Sequence, residues 1–317
     1  MTSLWPQRLN FLFQPTRRAA QSAEVPWRWM GVAVYKFVTG VLALFLAACT
    51  TTDVAPRLAS GEHIYRTVSD QGLTLSVSYP ASQPESGEPR SAMILLHGGG
   101  WRFGSPRWTA STASLLAENG IVALNTKYRL SLDGKTPADA LEDACAALVW
   151  ARENADSLGV DPGRIGFYGV SAGGHLAAST ATVGCGQDIA GPDLLVLYSP
   201  AIRTSHDGWF QKLLGADLKA VDYSPFEHVK PTTPATLIVS GEEDTLTPHR
   251  YAVGFCEQMR AIGNRCDIES FAAAGHLLTR DLNNQENDFD PAPENLERTR
   301  DAIIAFLESE GFVPAID

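Results

Sequence analysis

From Ala92 to the end of the chain, short apolar runs alternate with stretches of helical periodicity, and this alternation limits the architecture more than any other feature. The runs "AMILLHGGG" (92–100), "IVALNTKYRL" (121–130), "RIGFYG" (164–169), "DLLVLYSP" (193–200), "TLIVSG" (236–241) and "CDIESF" (266–271) have strand length. Several carry apolar residues at consecutive positions, so both faces need cover. Between them the pattern turns helical over 137–159, 172–183 and 248–262, and a last helix is expected over 293–309. Pro137 suits a first helical turn and Gly159 a stop. A mostly parallel sheet with helices on both faces satisfies this order. "LTLSVSY" (73–79) alternates as a half-buried strand does, and "SQPESGEPR" (82–90) is a turn cluster. The opening strands are therefore expected to be antiparallel, and one domain over 61–317 accommodates the whole series.

In such sheets, chemistry sits at the carboxyl ends of the strands. Four pieces of glycine-rich or charged punctuation fall there: His97–Gly100, Ser171, Asp244 and His276. Gly169-Val170-Ser171-Ala172-Gly173 is a G-x-S-x-G pentapeptide between a strand and a helix. A nucleophile must project clear of the sheet on a sharp turn, which requires small residues two positions either side. The helix that follows aims its N-terminal amides at developing negative charge. His97-Gly98-Gly99-Gly100 closes a buried strand, and glycines there let the backbone approach a ligand closely. Gly99 and Gly100, with Ala172, are the expected oxyanion donors, and His97 is expected to brace the loop. A Rossmann phosphate loop is the competing use of such glycines, but G-x-G-x-x-G is absent. A serine nucleophile needs a base and an oriented carboxylate. His276 in "AAAGHLL" and Asp244 in "SGEEDTLTP" are the candidates, with Glu242 and Glu243 competing for the acid role. His175, one helical turn past Ser171, is expected to be structural.

Hydrophobic residues make up 44% of the chain and charged ones 19%, enough for a core. A net charge of −11 disfavours a nucleic-acid partner. No Cys/His cluster has metal-ligand spacing, so neither metal nor cofactor is expected. The first fifty residues differ in kind. Lys36 precedes an apolar run, 37–48, of signal-peptide length and short of a membrane span. Residues 1–48 read as a signal, with Met30 as an alternative translation start, and 49–60 as a linker. Leu46-Ala47-Ala48-Cys49 resembles a bacterial lipobox, which implies cleavage before Cys49, lipid on its thiol and attachment to the cell envelope. Cleavage removes Arg8, Arg17, Arg18, Arg28, Lys36 and Glu24, moving the net charge from −11 to −15. Membrane attachment would then come from acyl chains and not from a basic patch. Export also permits disulfides. Cys256 with Cys266, and Cys145 with Cys185, are the candidate pairs, the second requiring two helices to be neighbours.

"HGGGW", "YRL", "ALEDACAALVWARENADSLGVDPGRIGFYGVSAGGHLA", "GEEDTLTP" and "GH" together resemble the α/β-hydrolase fold. The likeness is to the acetyl-esterase/feruloyl-esterase-like group related to hormone-sensitive lipase and arylformamidases, over roughly residues 61–315. The resemblance implies a Ser171–Asp244–His276 triad, an oxyanion hole of Gly99, Gly100 and Ala172, and no cofactor. Val170 stands where the hormone-sensitive-lipase branch has an acidic residue. Residues 201–235 leave room for only a small cap, with Trp209 and Phe210, and Trp101 beside the glycine loop, as expected pocket walls. The implied reaction is hydrolysis of short-chain acyl esters, of sugars or small aromatic alcohols. Two alternatives stand beside it: an arylformamidase-type amide hydrolase on the same triad, and a non-catalytic envelope lipoprotein that binds through the pocket. Oligomeric state is not readable.

Overall fold

The computed structural model describes residues 57–81 and 88–313. In chain order the elements are β1 Gly61–Val68, β2 Gln71–Ser78, β3 Arg90–Leu96, α1 Ala110–Glu118, β4 Val122–Thr126, α2 Pro137–Glu153, α3 Ala155–Leu158, β5 Val160–Val170, α4 Ala172–Thr182, β6 Leu195–Tyr198, α5 Gly208–Leu214, β7 Thr236–Gly241, α6 His249–Ala261, β8 Cys266–Phe271 and α7 Pro293–Ser309. The eight strands form one sheet in the order β1-β2-β4-β3-β5-β6-β7-β8. β1, β2 and β4 pair antiparallel, and every pairing from β4 through β3 to β8 is parallel.

The unbroken apolar runs are strands with two dry faces. On β3, Ala92, Ile94 and Leu96 enter one core while Met93 and Leu95 enter the other. β6 divides likewise, Leu195 and Leu197 against Val196 and Tyr198. Side chains alternate across a strand, so only a sheet covered on both sides can bury such a run. The expected helix over 137–159 is two. α2 starts on a Thr136–Asp139 capping box and stops at Glu153, and α3 ends at Gly159, which is left-handed at φ 67°. β1 and α1 carry too weak a pattern to be marked from sequence. Four of the eight residues of β1 are exposed, as befits an edge strand.

"YRL" and "ALEDA" turn out to be structural. Asp143 is fully buried and takes Arg66 at 2.7 Å and Arg129 at 2.8 Å, tying α2 to β1 and to the loop after β4. Disulfides join Cys145 to Cys185, between α2 and the loop after α4, and Cys256 to Cys266, between α6 and β8. Among the described residues no helix is long and apolar enough to cross a membrane. The apolar run 37–48, Cys49 and most of the turn cluster 82–90 lie outside them.

Candidate active site

The carboxyl ends of β3, β5, β7 and β8 bring their loops to one place. Ser171 sits between β5 and α4 with φ 51° and ψ −113°, a strained conformation for a residue with a side chain. The turn has no room for larger neighbours. A Cβ on Gly169 would stand 2.4 Å from the Gly173 carbonyl oxygen, and one on Gly173 would stand 2.3 Å from that of Leu96. The pentapeptide glycines therefore serve packing at the turn, which lifts the hydroxyl off the sheet.

His276 reaches this hydroxyl from the loop after β8, with Nε2 3.0 Å from Ser171 Oγ. Its Nδ1 lies 2.8 Å from Asp244 Oδ2. A carboxylate can only accept, so Nδ1 carries the proton and Nε2 faces the serine as an acceptor. Asp244 is itself fixed: Oδ1 accepts from the amides of Leu246 (2.9 Å) and Thr247 (2.7 Å), and Oδ2 lies 2.7 Å from Thr247 Oγ1. His276 and Asp244 are both buried. The histidine loop is strained, with Leu277 and Leu278 at φ 54° and 62°, and Ser199 Oγ and Tyr198 Oη tie Leu277 down through its N–H and carbonyl. Of the three acids that competed on sequence, Asp244 is the one bonded to His276.

The glycine loop is tied down by its carbonyls. His97 Nδ1 donates to the Gly98 carbonyl at 2.7 Å, and Arg102 and Phe103 amides donate to that of Gly99 at 3.1 and 2.9 Å. In a trans peptide the N–H points opposite to the C=O. Anchoring those two carbonyls therefore fixes the direction of the Gly99 and Gly100 N–H groups. Tyr128 stacks on His97 at 4.3 Å and donates to its carbonyl. Burial pushes the His97 imidazole down to about 4, so it is neutral near pH 7. Trp209 Nε1 donates to the Gly100 carbonyl at 3.0 Å.

A cavity of about 710 Å³ opens over Ser171, His276 and Gly98–Gly100. Its walls are mostly apolar, from Phe103, Trp108, Trp209, Leu246 and Phe289, with Glu286 supplying a carboxylate. Phe103, Trp108, Trp209 and Phe289 are the exposed aromatic side chains among the described residues, and all four face this cavity.

Two expected pocket residues are elsewhere. Trp101 and Phe210 are buried and pack edge to face at 4.9 Å, with His175 against both. Trp101 has φ 60°, and this turn sends its ring into the fold, where Nε1 donates to His175 Nδ1 at 3.1 Å. On α5, Phe210 turns into the core, and only Trp209 reaches the cavity. Sequence reasoning missed Phe103, Leu246 and Phe289, which sit in loops, and Trp108, in the single 3-10 turn Pro106–Thr109, all without periodicity, and the braces Thr247, Ser199 and Gln285.

Comparison with known proteins bears on the fold. A family model described as the alpha/beta hydrolase fold matches residues 93–212. The chain is 34% identical over 151 residues to carboxylesterase NlhH of Mycobacterium tuberculosis, covering 46% of this chain and 44% of that one. It is 32% identical over 115 residues to an arylesterase of Saccharolobus solfataricus, 36% of each. To arylacetamide deacetylase of Bos taurus it is 31% identical over 183 residues, 50% of this chain and 44% of the relative. The chain thus spans less than half the length of these curated relatives. Among solved structures, Thermogutta terrifontis esterase 2 phosphorylated by paraoxon and its propionate-bound form superpose with TM-scores of 0.71 and 0.70. They are 29% and 28% identical and cover 81% of this chain, and 96% and 97% of their own. The fold is the α/β-hydrolase fold.

Proposed function

We propose that this protein is a serine esterase that cleaves short-chain acyl esters of aromatic or other apolar alcohols. The observation that carries the reading is the Ser171–His276–Asp244 hydrogen-bond chain, 3.0 and 2.8 Å, at the floor of an open cavity. Ser171 Oγ attacks the ester carbonyl as its proton passes to His276 Nε2. Asp244 keeps Nδ1 protonated and stabilises the imidazolium. The oxyanion rests on the amides of Gly99, Gly100 and Ala172. Collapse breaks the C–O bond, the alkoxide takes the proton from Nε2, and a water activated by the same histidine releases the acid from Ser171.

The walls favour an apolar alcohol over a sugar. Sugar hydroxyls call for several side-chain partners, whereas four aromatic rings and Leu246 dominate this lining. Among the similar proteins, an arylesterase suits the aromatic alcohol and an esterase bound to propionate suits the short acyl group. The subgroup suggested by the motifs, acetyl-esterase/feruloyl-esterase-like, belongs to this proposal too. So does export on a signal over residues 1–48, with lipid on Cys49 and residues 61–317 as the catalytic domain. The two disulfides suit an oxidising compartment.

The test is a panel of p-nitrophenyl esters from C2 to C12, beside phenyl acetate and an acetylated sugar, on the wild type and Ser171→Ala. Turnover should favour C2–C4 acyl groups and the phenyl ester, and vanish in the variant. Turnover of aryl formamides alone would replace the ester reading, and a preference for the sugar would overturn the alcohol assignment. For the anchor, mass spectrometry of the membrane fraction should find diacylglycerol on Cys49, and Cys49→Ala should release the protein.

A further inference from the structure

We propose that Gln285 is a positioning residue for this reaction: one buried amide clamps the loop carrying Asp244 to the loop carrying His276 and so sets the triad geometry. The proposal rests on the esterase reading above. Gln285 is 4% exposed and lies in the segment between His276 and α7, where neither charge pattern nor periodicity marks it. Its Oε1 accepts from the His276 amide at 2.9 Å and from the Thr245 amide at 3.1 Å. Its Nε2 donates to the Glu243 carbonyl at 2.9 Å and to the Leu282 carbonyl at 3.2 Å. All four hydrogen-bonding positions of the amide are used. The partners are the residues on either side of Asp244 and the backbone of His276 itself.

The surroundings fit the amide closely. A Cβ on Gly275 would stand 2.6 Å from Gln285 Cδ, so glycine before His276 is what makes room for the clamp. Backbone bonds join the two loops only up to Glu243, whose amide donates to the Ala274 carbonyl. Past Glu243, Gln285 takes over. The segment bearing it is closed at its base by the Thr279–Pro291 bridge and by Thr279 Oγ1 on Asp288 at 2.7 Å. His276 is followed by two residues in left-handed conformation, and a strained loop holds its place only where its surroundings over-determine it. Gln285 contacts neither reacting side chain; it acts through their backbones.

The test compares Gln285→Leu, which removes all four bonds, with Gln285→Glu, which keeps the acceptor for both amides and loses the donors. Two readouts are taken on the full chain: amide hydrogen exchange at Thr245 and His276, and the rate at which a fluorophosphonate labels Ser171. In Gln285→Leu both amides should exchange at least about tenfold faster. Labelling and kcat should fall roughly ten- to a hundredfold, the cost of a displacement near 1 Å at the reacting groups, with KM changed less than about twofold. Gln285→Glu should lie between the leucine variant and the wild type, and carries the comparison if the leucine variant does not fold. In an Asp244→Ala background the same substitution should slow labelling less than about threefold, because the geometry it protects is already lost. Wild-type labelling in folded Gln285→Leu, or unchanged exchange at both amides, overturns the proposal. A wild-type protein that neither hydrolyses esters nor takes the label overturns the esterase reading instead. Exchange then still decides whether Gln285 clamps the loops.

Discussion

His276 and His175 both lie buried beside the Ser171 turn, one arriving on the loop after β8 and the other one helical turn along α4. His276 has a carboxylate on Nδ1 and the serine hydroxyl on Nε2, at the wall of an open cavity. His175 has a backbone carbonyl, that of Tyr223, 2.8 Å from Nε2 and the Trp101 indole N–H 3.1 Å from Nδ1. A carbonyl can only accept and an indole N–H can only donate, so His175 is locked as one neutral tautomer. Nearness to a serine does not make a base. A base needs one nitrogen held by an acid and the other facing a group that can release a proton.

The largest effects test that contrast directly. His276→Ala should lower kcat on a p-nitrophenyl ester by roughly 10⁴- to 10⁶-fold with KM little changed, whereas His175→Gln should keep kcat within about tenfold of wild type. Equal losses in the two variants would erase the distinction. Asp244→Asn follows, at roughly 10⁴-fold in kcat, because an amide facing Nδ1 favours the wrong tautomer and leaves Nε2 without its lone pair. A loss below about tenfold would mean that Glu242 or Glu243 takes over the role.

The same contrast separates what the sequence makes legible from what only the folded chain shows. Ser171, Asp244 and His276 stood out because they follow strand-like runs, and strand ends are where an open parallel sheet presents its loops. The strands themselves were legible because both faces are dry. The walls were not. Trp209 and Phe210 are adjacent aromatics in a seven-residue helix, and composition cannot say which of the two turns inward. The place of Trp101 after the glycines suggests a pocket wall, yet its positive φ turns the ring into the fold. Gln285 is an ordinary polar residue whose importance comes from contacts 40 residues back, at Thr245, and 9 residues back, at His276.

A smaller effect concerns stability. Burial pushes both His175 and His97 down to about 4. The unfolded chain titrates near 6.5, so between these values it binds a proton that the native state refuses. Stability from each histidine is complete above about pH 6.5, declines as pH falls toward about 4, and levels off below. The gap corresponds to roughly 3 kcal/mol for each residue at its lower end. Urea midpoints at pH 7 and pH 4.5 should therefore converge in His175→Gln, whose amide can still accept from Trp101 and donate to Tyr223. A gap between the two midpoints as wide as in the wild type would mean that His175 does not carry this dependence.

The finest test lies at the two tryptophans. Trp101 Nε1 serves His175 in the core, and Trp209 Nε1 serves the Gly100 carbonyl at the cavity rim. Trp209→Phe keeps most of the apolar wall and removes one neutral hydrogen bond, worth about 1 kcal/mol. If that bond orients the loop for the transition state, its loss should appear as about a fivefold drop in kcat, with the unfolding midpoint nearly unchanged because Trp209 is 42% exposed. A raised KM at constant kcat would instead mean that the ring binds the alcohol part of the substrate and leaves the glycine loop alone. No change in either would leave His97 and the amides of Arg102 and Phe103 as sufficient anchors for the loop.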